Sequence, residues 1–215
     1  MSPAESFDTW HLVALAGALG WASGIRLYAV LFIVGGLGYI GWIPLPGGLN
    51  LLQHPYVLAA SGTMFVIEFF ADKVPGVDSF WDMMQTFIRI PAGAALAAGV
   101  FGDAPAAATL AAAIVGGTLA AGSHLAKSGS RMAINTSPEP FSNWAASFGE
   151  DLSVGVVLWL AIVYPIAALV VLGLLVVVMI WLIPKVWRFL GGIAGRLRSL
   201  FGGGERSIDP GQRYR

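Results

Sequence analysis

Residues 10–43 read WHLVALAGALGWASGIRLYAVLFIVGGLGYIGWI. The run exceeds the roughly 20 apolar residues that a membrane-crossing helix needs. It holds one fixed charge, Arg26, inside the string Ser23-Gly24-Ile25-Arg26. An arginine near the middle of an apolar helix costs about 2.5–3.5 kcal/mol on insertion scales. The glycine beside it weakens the helix at the same place. The segment is therefore either one long, broken helix or two short ones. Arg26 has two compatible readings: it pairs with an acid such as Glu68 and fixes the fold, or it contacts an anion or phosphate at the break.

The rest of the chain follows the same pattern. It is 57% hydrophobic, has a mean hydropathy of +0.76 and carries only 11% charged residues, where a soluble domain carries about 25%. After the loop IPLPGGLN, a second apolar span covers 55–71 with Glu68 inside it. Two Ala/Gly-rich spans, 92–101 and 106–125, are separated by GDAP, and a final span, 152–183, contains Pro165. The expected fold class is all-α: a polytopic transmembrane bundle of about five crossings with broken or re-entrant segments. The first Ala-rich span is short, so a re-entrant hairpin there is the alternative. Residues 16–26, AGALGWASGIR, overlay 121–131, AGSHLAKSGSR, at a constant offset. In so Ala- and Gly-rich a chain, chance similarity is the alternative reading. As a duplication in the five-crossing scheme, the strings would lie on helices of opposite direction, an inverted repeat of the kind transporters use.

Net charge is zero, but seven of the twelve basic residues (Lys185, Arg188, Arg196, Arg198, Arg206, Arg213 and Arg215) follow the last apolar run. That bias places the C-terminus in the cytoplasm. The N-terminal MSPAESFDTW has acids but no Lys or Arg, so it lacks the basic region of a secretory signal and is expected outside. Both polar interludes, 75–90 and 127–151, then face the outer side or dip into the protein from it. Three regions result: a membrane domain over 1–184, a basic amphipathic interfacial helix over 185–201, and a disordered tail over 202–215. The sequence has no cysteine, which excludes disulfides, thiolate metal sites and cysteine nucleophiles.

The interlude VPGVDSFWDMMQTFIRIP (74–91) has helical periodicity, with Asp78, Asp82, Gln85 and Arg89 on one face and Pro75-Gly76 and Pro91 as start and stop signals. Asp78 and Asp82 at i,i+4 suit a divalent cation, since hard cations take carboxylate oxygens; a solvated face with two acids is the ordinary reading. Glu68 and Asp72 form a second such pair, with Lys73 adjacent. In HLAKSGSRMAINTSPEPFSN (124–143), His124, Lys127 and Arg131 make a basic stripe at helical spacing. Ion pairing between this stripe and the acids is the default expectation near a membrane. Asn135, Ser137, Glu139, Ser142, Asn143, Glu150 and Asp151 add more polar groups than a connector needs, and Pro138 and Pro140 stiffen it.

These strings resemble a known family. DKVPGVDSFWD, TFIRIPAG, HLAKSGSR and NTSPEPFSN, followed by Glu150-Asp151, are similar in content and order to the bacterial membrane family catalogued as domain of unknown function four-one-two-six, over roughly residues 10–175. The resemblance implies a small multi-spanning membrane protein, here of the bacterial inner membrane, with these polar strings as its hallmark. It supplies no activity. GLGYIG (36–41) matches GxGxxG but sits in an apolar run with no preceding strand, so helix packing explains it. Walker A, HExxH and GxSxG signatures are absent.

The favoured expectation is a transporter or channel for a small anionic or phosphorylated solute, a lipid phosphate included. Its substrate-binding candidates are Arg26, Arg89, His124, Lys127, Arg131, Asn135, Ser137 and Asn143. Glu68, Asp72, Lys73, Glu139, Glu150 and Asp151 are the ion-pair or coupling candidates. No cofactor is expected, with a divalent cation at Asp78 and Asp82 as the exception. The expected partners are membrane lipids and the solute, a homo-oligomer being admitted and nucleic acid not. Two alternatives remain: an intramembrane enzyme acting on a lipid head group with an Asp-rich metal site and His124 as acid or base, and an assembly protein whose polar strings lock its helices together.

Overall fold

The computed structural model describes residues 7–136 and 140–201. Ser137, Glu139, and the proposed tail after 201 lie outside the described residues. Six α-helices, α1 (Thr9–Tyr39), α2 (Pro55–Ala71), α3 (Val77–Val100), α4 (Ala106–Ile134), α5 (Pro140–Val163) and α6 (Pro165–Phe201), are joined by short turns, with a 3-10 helix over Gly47–Gln53. The described residues contain no strand. The protein is an all-helical bundle. Four helical stretches, Thr9–Tyr39, Ala106–Ile134, Phe141–Val163 and Pro165–Gly192, are long and apolar enough to cross a membrane.

The helix α1 does not run straight. Arg26 leaves helical geometry, with φ −142° and ψ 69°, and the packing shows that the chain reverses there. Gly24 abuts Ala120 and Ser123 of α4, and Gly20 abuts Gly116, so residues 9–25 run parallel to α4. The helix α3 runs opposite to them, with Gly93 against Gly20 and Ala120. Farther along α1, Gly35 packs on the carbonyl of Leu52, while Gly48 packs on Gly99 near the end of α3. A straight α1 would place Gly35 near the start of α3, about 30 Å from Gly99 at 1.5 Å per residue. The four residues from 48 to 52 cannot bridge that distance. Residues 27–39 therefore climb back beside residues 9–25. Leu45 confirms the return: it touches Gly38 and shares a cavity with Leu12 and Val100.

Thus α1 is a buried re-entrant hairpin about 25 Å deep, from 1.5 Å rise over residues 9–25, and its tip is Ser23-Gly24-Ile25-Arg26. The helices α2 to α6 then traverse the bundle in alternating directions around it. Five details differ from the sequence reading. The re-entrant segment is the first apolar run and not the Ala-rich span. Pro91 does not stop a helix: the two stretches on either side of it join in α3, which passes through Pro91. The polar interludes are likewise helix ends, and both lie at the end of the bundle opposite Asp8. The helix α6 runs parallel to α4, with Gly122 against Met179 and Gly129 against Val186, so it ends on that same side. The interludes and the end of α6 are thus not on opposite sides, where the charge argument places them. The strings 16–26 and 121–131 run in the same direction, side by side, so the pair is not an inversion. The helix α6 also continues unbroken through Pro184, so residues 185–201 extend it.

Glycine makes the central crossing close. A Cβ on Gly20 would stand 2.6 Å from the Cα of Gly116, and one on Gly116 would stand 2.8 Å from the oxygen of Gly93. Residues 9–25, α3 and α4 meet backbone to backbone there, as small residues allow in membranes. Around this point Leu15, Leu19, Val30 and Val34 are fully buried. They fill the hairpin and seal its end of the bundle, leaving the polar groups beneath its tip.

Candidate functional site

Five basic residues precede Lys185 in the sequence: Arg26, Lys73, Arg89, Lys127 and Arg131. All five converge beneath the hairpin tip. The break in α1 is what draws them in, because a helix that ends inside a bundle leaves carbonyls without partners. Lys127 Nζ donates to the oxygen of Ile25 at 3.0 Å, Arg89 Nη1 to that of Gly24 at 3.5 Å, and Ser123 Oγ to that of Trp21 at 2.7 Å. Cations at a helix C-terminus also match its dipole.

The inner part of the cluster is an alternating chain of charge. Arg26 pairs with Asp72 at 2.5 Å, Asp72 with Lys127 at 2.5 Å, and Lys127 with Asp82 at 3.4 Å. Asp82 pairs with Arg89 at 2.8 Å, and Arg89 with Glu68 at 2.5 Å. The side chains of Arg26, Glu68, Asp72, Asp82 and Arg89 are completely buried. Arg26 thus takes Asp72, one turn past Glu68, because α2 runs antiparallel to residues 27–39 and its C-terminal end meets the tip; Glu68 goes to Arg89 instead. Buried charges of this kind persist only when paired.

His124 lies within this chain. Arg89 Nη1 stands 3.2 Å from its Nδ1, and a guanidinium can only donate, so Nδ1 accepts and the proton sits on Nε2. Nε2 then donates to Thr86 Oγ1 at 2.7 Å, and Thr86 passes its own hydrogen to the oxygen of Asp82 at 3.1 Å. The imidazole is neutral and fully used.

The outer part of the cluster is built by α5. Asn143, Ser147, Glu150 and Asp151 recur at helical spacing and face inward. Arg131 is held by Glu150 at 3.0 and 2.8 Å and by the side-chain and backbone oxygens of Asn143. Asp151 approaches Arg26 Nε at 2.8 Å, Glu150 approaches Arg26 Nη2 at 3.7 Å, and Ser147 Oγ accepts from the same nitrogen at 2.8 Å. Lys73 is the most loosely paired cation: Asp151 is 3.8 Å away, Ser147 Oγ 3.3 Å, and its Nζ lies over the ring of Phe69. Burial holds its ammonium below the ordinary value, while Asp151 pulls the other way. Lys73, Glu150 and Asp151, at 12%, 14% and 22% side-chain exposure, are the open members of the cluster. They mark its mouth, where the end of α2 meets α5 and Trp144 Nε1 donates to the oxygen of Lys73.

Asp78 and Asp82 do not converge on a metal. Asp78 caps the start of α3, accepting from the backbone of Gly76 and Ser79 at 2.8 and 2.6 Å and from Asn135 Nδ2, while Asp82 points to Arg89 and Lys127. Each acid faces a different neighbour because α4 presents Asn135 to one and Lys127 to the other. No group of three or more His, Cys, Asp or Glu among the described residues is arranged to hold a metal ion. The sequence reading passed over Ser147, Thr86 and the carbonyls of the break. The period from Asn143 through Ser147 to Asp151 was the available signal for Ser147; the carbonyls have none in sequence.

The chain belongs to the family described as Domain of unknown function (DUF4126), whose model matches residues 13–185. The match takes in the hairpin from Val13 onward and every member of the charge cluster. Comparison with curated proteins and with solved structures gave no match.

Proposed function

We propose that this chain is an integral membrane transporter or channel for a small anionic or phosphorylated solute, a lipid phosphate included, acting in the bacterial inner membrane with the end of α6 on the cytoplasmic side. The observation that carries this reading is the mouth of the cluster. Arg26, Lys73 and Arg131 lie behind two partly exposed carboxylates of α5, Glu150 and Asp151, which occupy the place an anion would take. A re-entrant hairpin with its break at the charged groups supports it, since irregular backbone inside a membrane protein is tolerated where it lines a cavity or is held by protein. The excess of Lys and Arg beyond the last apolar run supports the orientation.

One observation favours a second reading. Each of the five cations has a carboxylate within 4 Å, as expected of an assembly protein whose charges only lock its helices.

A single experiment separates them. The chain has no cysteine, so Asp151→Cys places one thiol at the mouth, where the native side chain is 22% exposed. Impermeant thiol reagents are applied to each side of oriented vesicles, with and without inorganic phosphate. Labelling that phosphate slows, or shifts from one side to the other, is the transporter's signature. A thiol silent from both sides means a sealed lock and removes the transport reading.

A further inference from the structure

Glu150 and Asp151 are adjacent in sequence, yet both reach the same cations. Glu150 holds Arg131 through two oxygens and comes within 3.5 Å of Lys127, and Asp151 lies 2.8 Å from Arg26 and 3.8 Å from Lys73. Without them Asp72, Asp82 and Glu68 still alternate with Lys127, Arg89 and Arg26, and two cations, Arg131 and Lys73, are left over. On the reading proposed above, we infer that the anion received at this mouth is a dianion with tetrahedral oxygens, a phosphate or a phosphate monoester, and that Glu150 and Asp151 are its built-in stand-ins.

The argument rests first on charge. An anion that displaces both carboxylates replaces two negative charges, and a monoanion would leave either Arg131 or Lys73 without a compensating charge. Geometry agrees. The donors around the two carboxylates come from α1, α4 and the turn after α2: Arg26 Nε and Nη2, Arg131 Nε and Nη2, and Lys73 Nζ. Two guanidinium forks approaching from different helices suit a phosphate, which accepts bidentate pairs on several faces. A further donor is in reserve: Asn143 Nδ2 is buried, belongs to a fully buried residue and has no hydrogen-bond partner among the described residues. The two carboxylates are also the most exposed acids of the cluster, so they can leave toward the mouth while the inner chain stays intact.

The test uses the full-length protein in nanodiscs and the variant Glu150→Gln/Asp151→Asn. Binding of inorganic phosphate is measured by calorimetry at constant ionic strength, with chloride and nitrate as monoanion controls. Removing the competing charges is expected to tighten phosphate binding about tenfold or more, because like charges at one site oppose each other strongly, and to leave the monoanions unbound. Phosphate binding unchanged from the wild type overturns the inference. Equal binding of chloride, nitrate and phosphate overturns the dianion assignment but leaves an anion site standing; no anion bound at all removes the anion reading as well. If the double variant does not fold, Asp151→Asn alone keeps Arg131 paired with Glu150 and Arg26 with Asp72, and a severalfold gain is expected. The source is read by adding a lipid phosphate monoester to the nanodiscs: competition with free phosphate assigns the headgroup, and its absence assigns the soluble ion.

Discussion

Asp72→Asn tests the central claim that the cluster is a buried, mutually compensated chain. The substitution keeps the shape of the side chain and removes one charge that both Arg26 and Lys127 use at 2.5 Å. Breaking a buried pair by removing one partner costs about 3–5 kcal/mol, because the other charge stays buried and uncompensated. Here the remaining acids soften the loss: Arg26 keeps Asp151 at 2.8 Å, and Lys127 keeps Asp82 at 3.4 Å and Glu150 at 3.5 Å. The lower end of that range, about 3 kcal/mol, is therefore expected, read as a shift in reversible unfolding in mixed micelles. The double variant Asp72→Asn/Lys127→Met supplies the control. It removes the stranded cation with the acid and is expected to recover part of the loss, since an apolar replacement of both partners is often close to neutral. A change within about 1 kcal/mol for Asp72→Asn, the scale of an exposed pair, would refute the buried chain and with it the argument for the mouth.

Other outcomes follow from the same contacts. Lys73→Met, whose nearest carboxylate is 3.8 Å away at the mouth, is expected to change stability by no more than about 1 kcal/mol in the same unfolding assay, although it removes a donor that the proposed site uses. Gly24→Ala would put a Cβ 2.0 Å from Ser123 Oγ and 2.2 Å from the oxygen of Ala120. Backbone cannot yield there as a side chain can, so a loss of about 1–3 kcal/mol or more is expected in thermal unfolding. Asp8 caps α1 by accepting from His11 N at 2.9 Å, a bond that holds its carboxyl below the ordinary value. The folded pKa is depressed, so this capping is present above the ordinary carboxylate pKa and is lost as pH falls through the folded one. A carboxyl titration followed by NMR in micelles checks the direction, and a midpoint above the ordinary value would contradict it.

The polar strings were legible as a group because five basic residues in 184 mostly apolar ones stand out, and each is too costly to leave facing lipid. Their mutual convergence follows from that cost. Their partners did not. Arg26 and Glu68 were the obvious pair, being the only charges in the first two apolar runs, yet the antiparallel packing of α2 on residues 27–39 puts Asp72 at the tip instead. Asp78 and Asp82, read as a pair from their i,i+4 spacing, are separated by α4, which offers an amide to one and an ammonium to the other.

Composition and periodicity alone determined that the chain is a helical membrane protein, that its helix breaks at Ser23-Gly24-Ile25-Arg26, and that its inner charges must meet. These are local or summed properties: hydropathy per segment, propensity at a break, the cost of each buried charge. Only the tertiary structure decided that the break is a reversal, that the strings 16–26 and 121–131 run parallel, and that α3 continues through Pro91. Each of these depends on which helices become neighbours, and that choice is made where glycines such as Gly20, Gly93 and Gly116 let backbones touch. Periodicity reports which face of a helix is buried, but it does not report what that face is buried against.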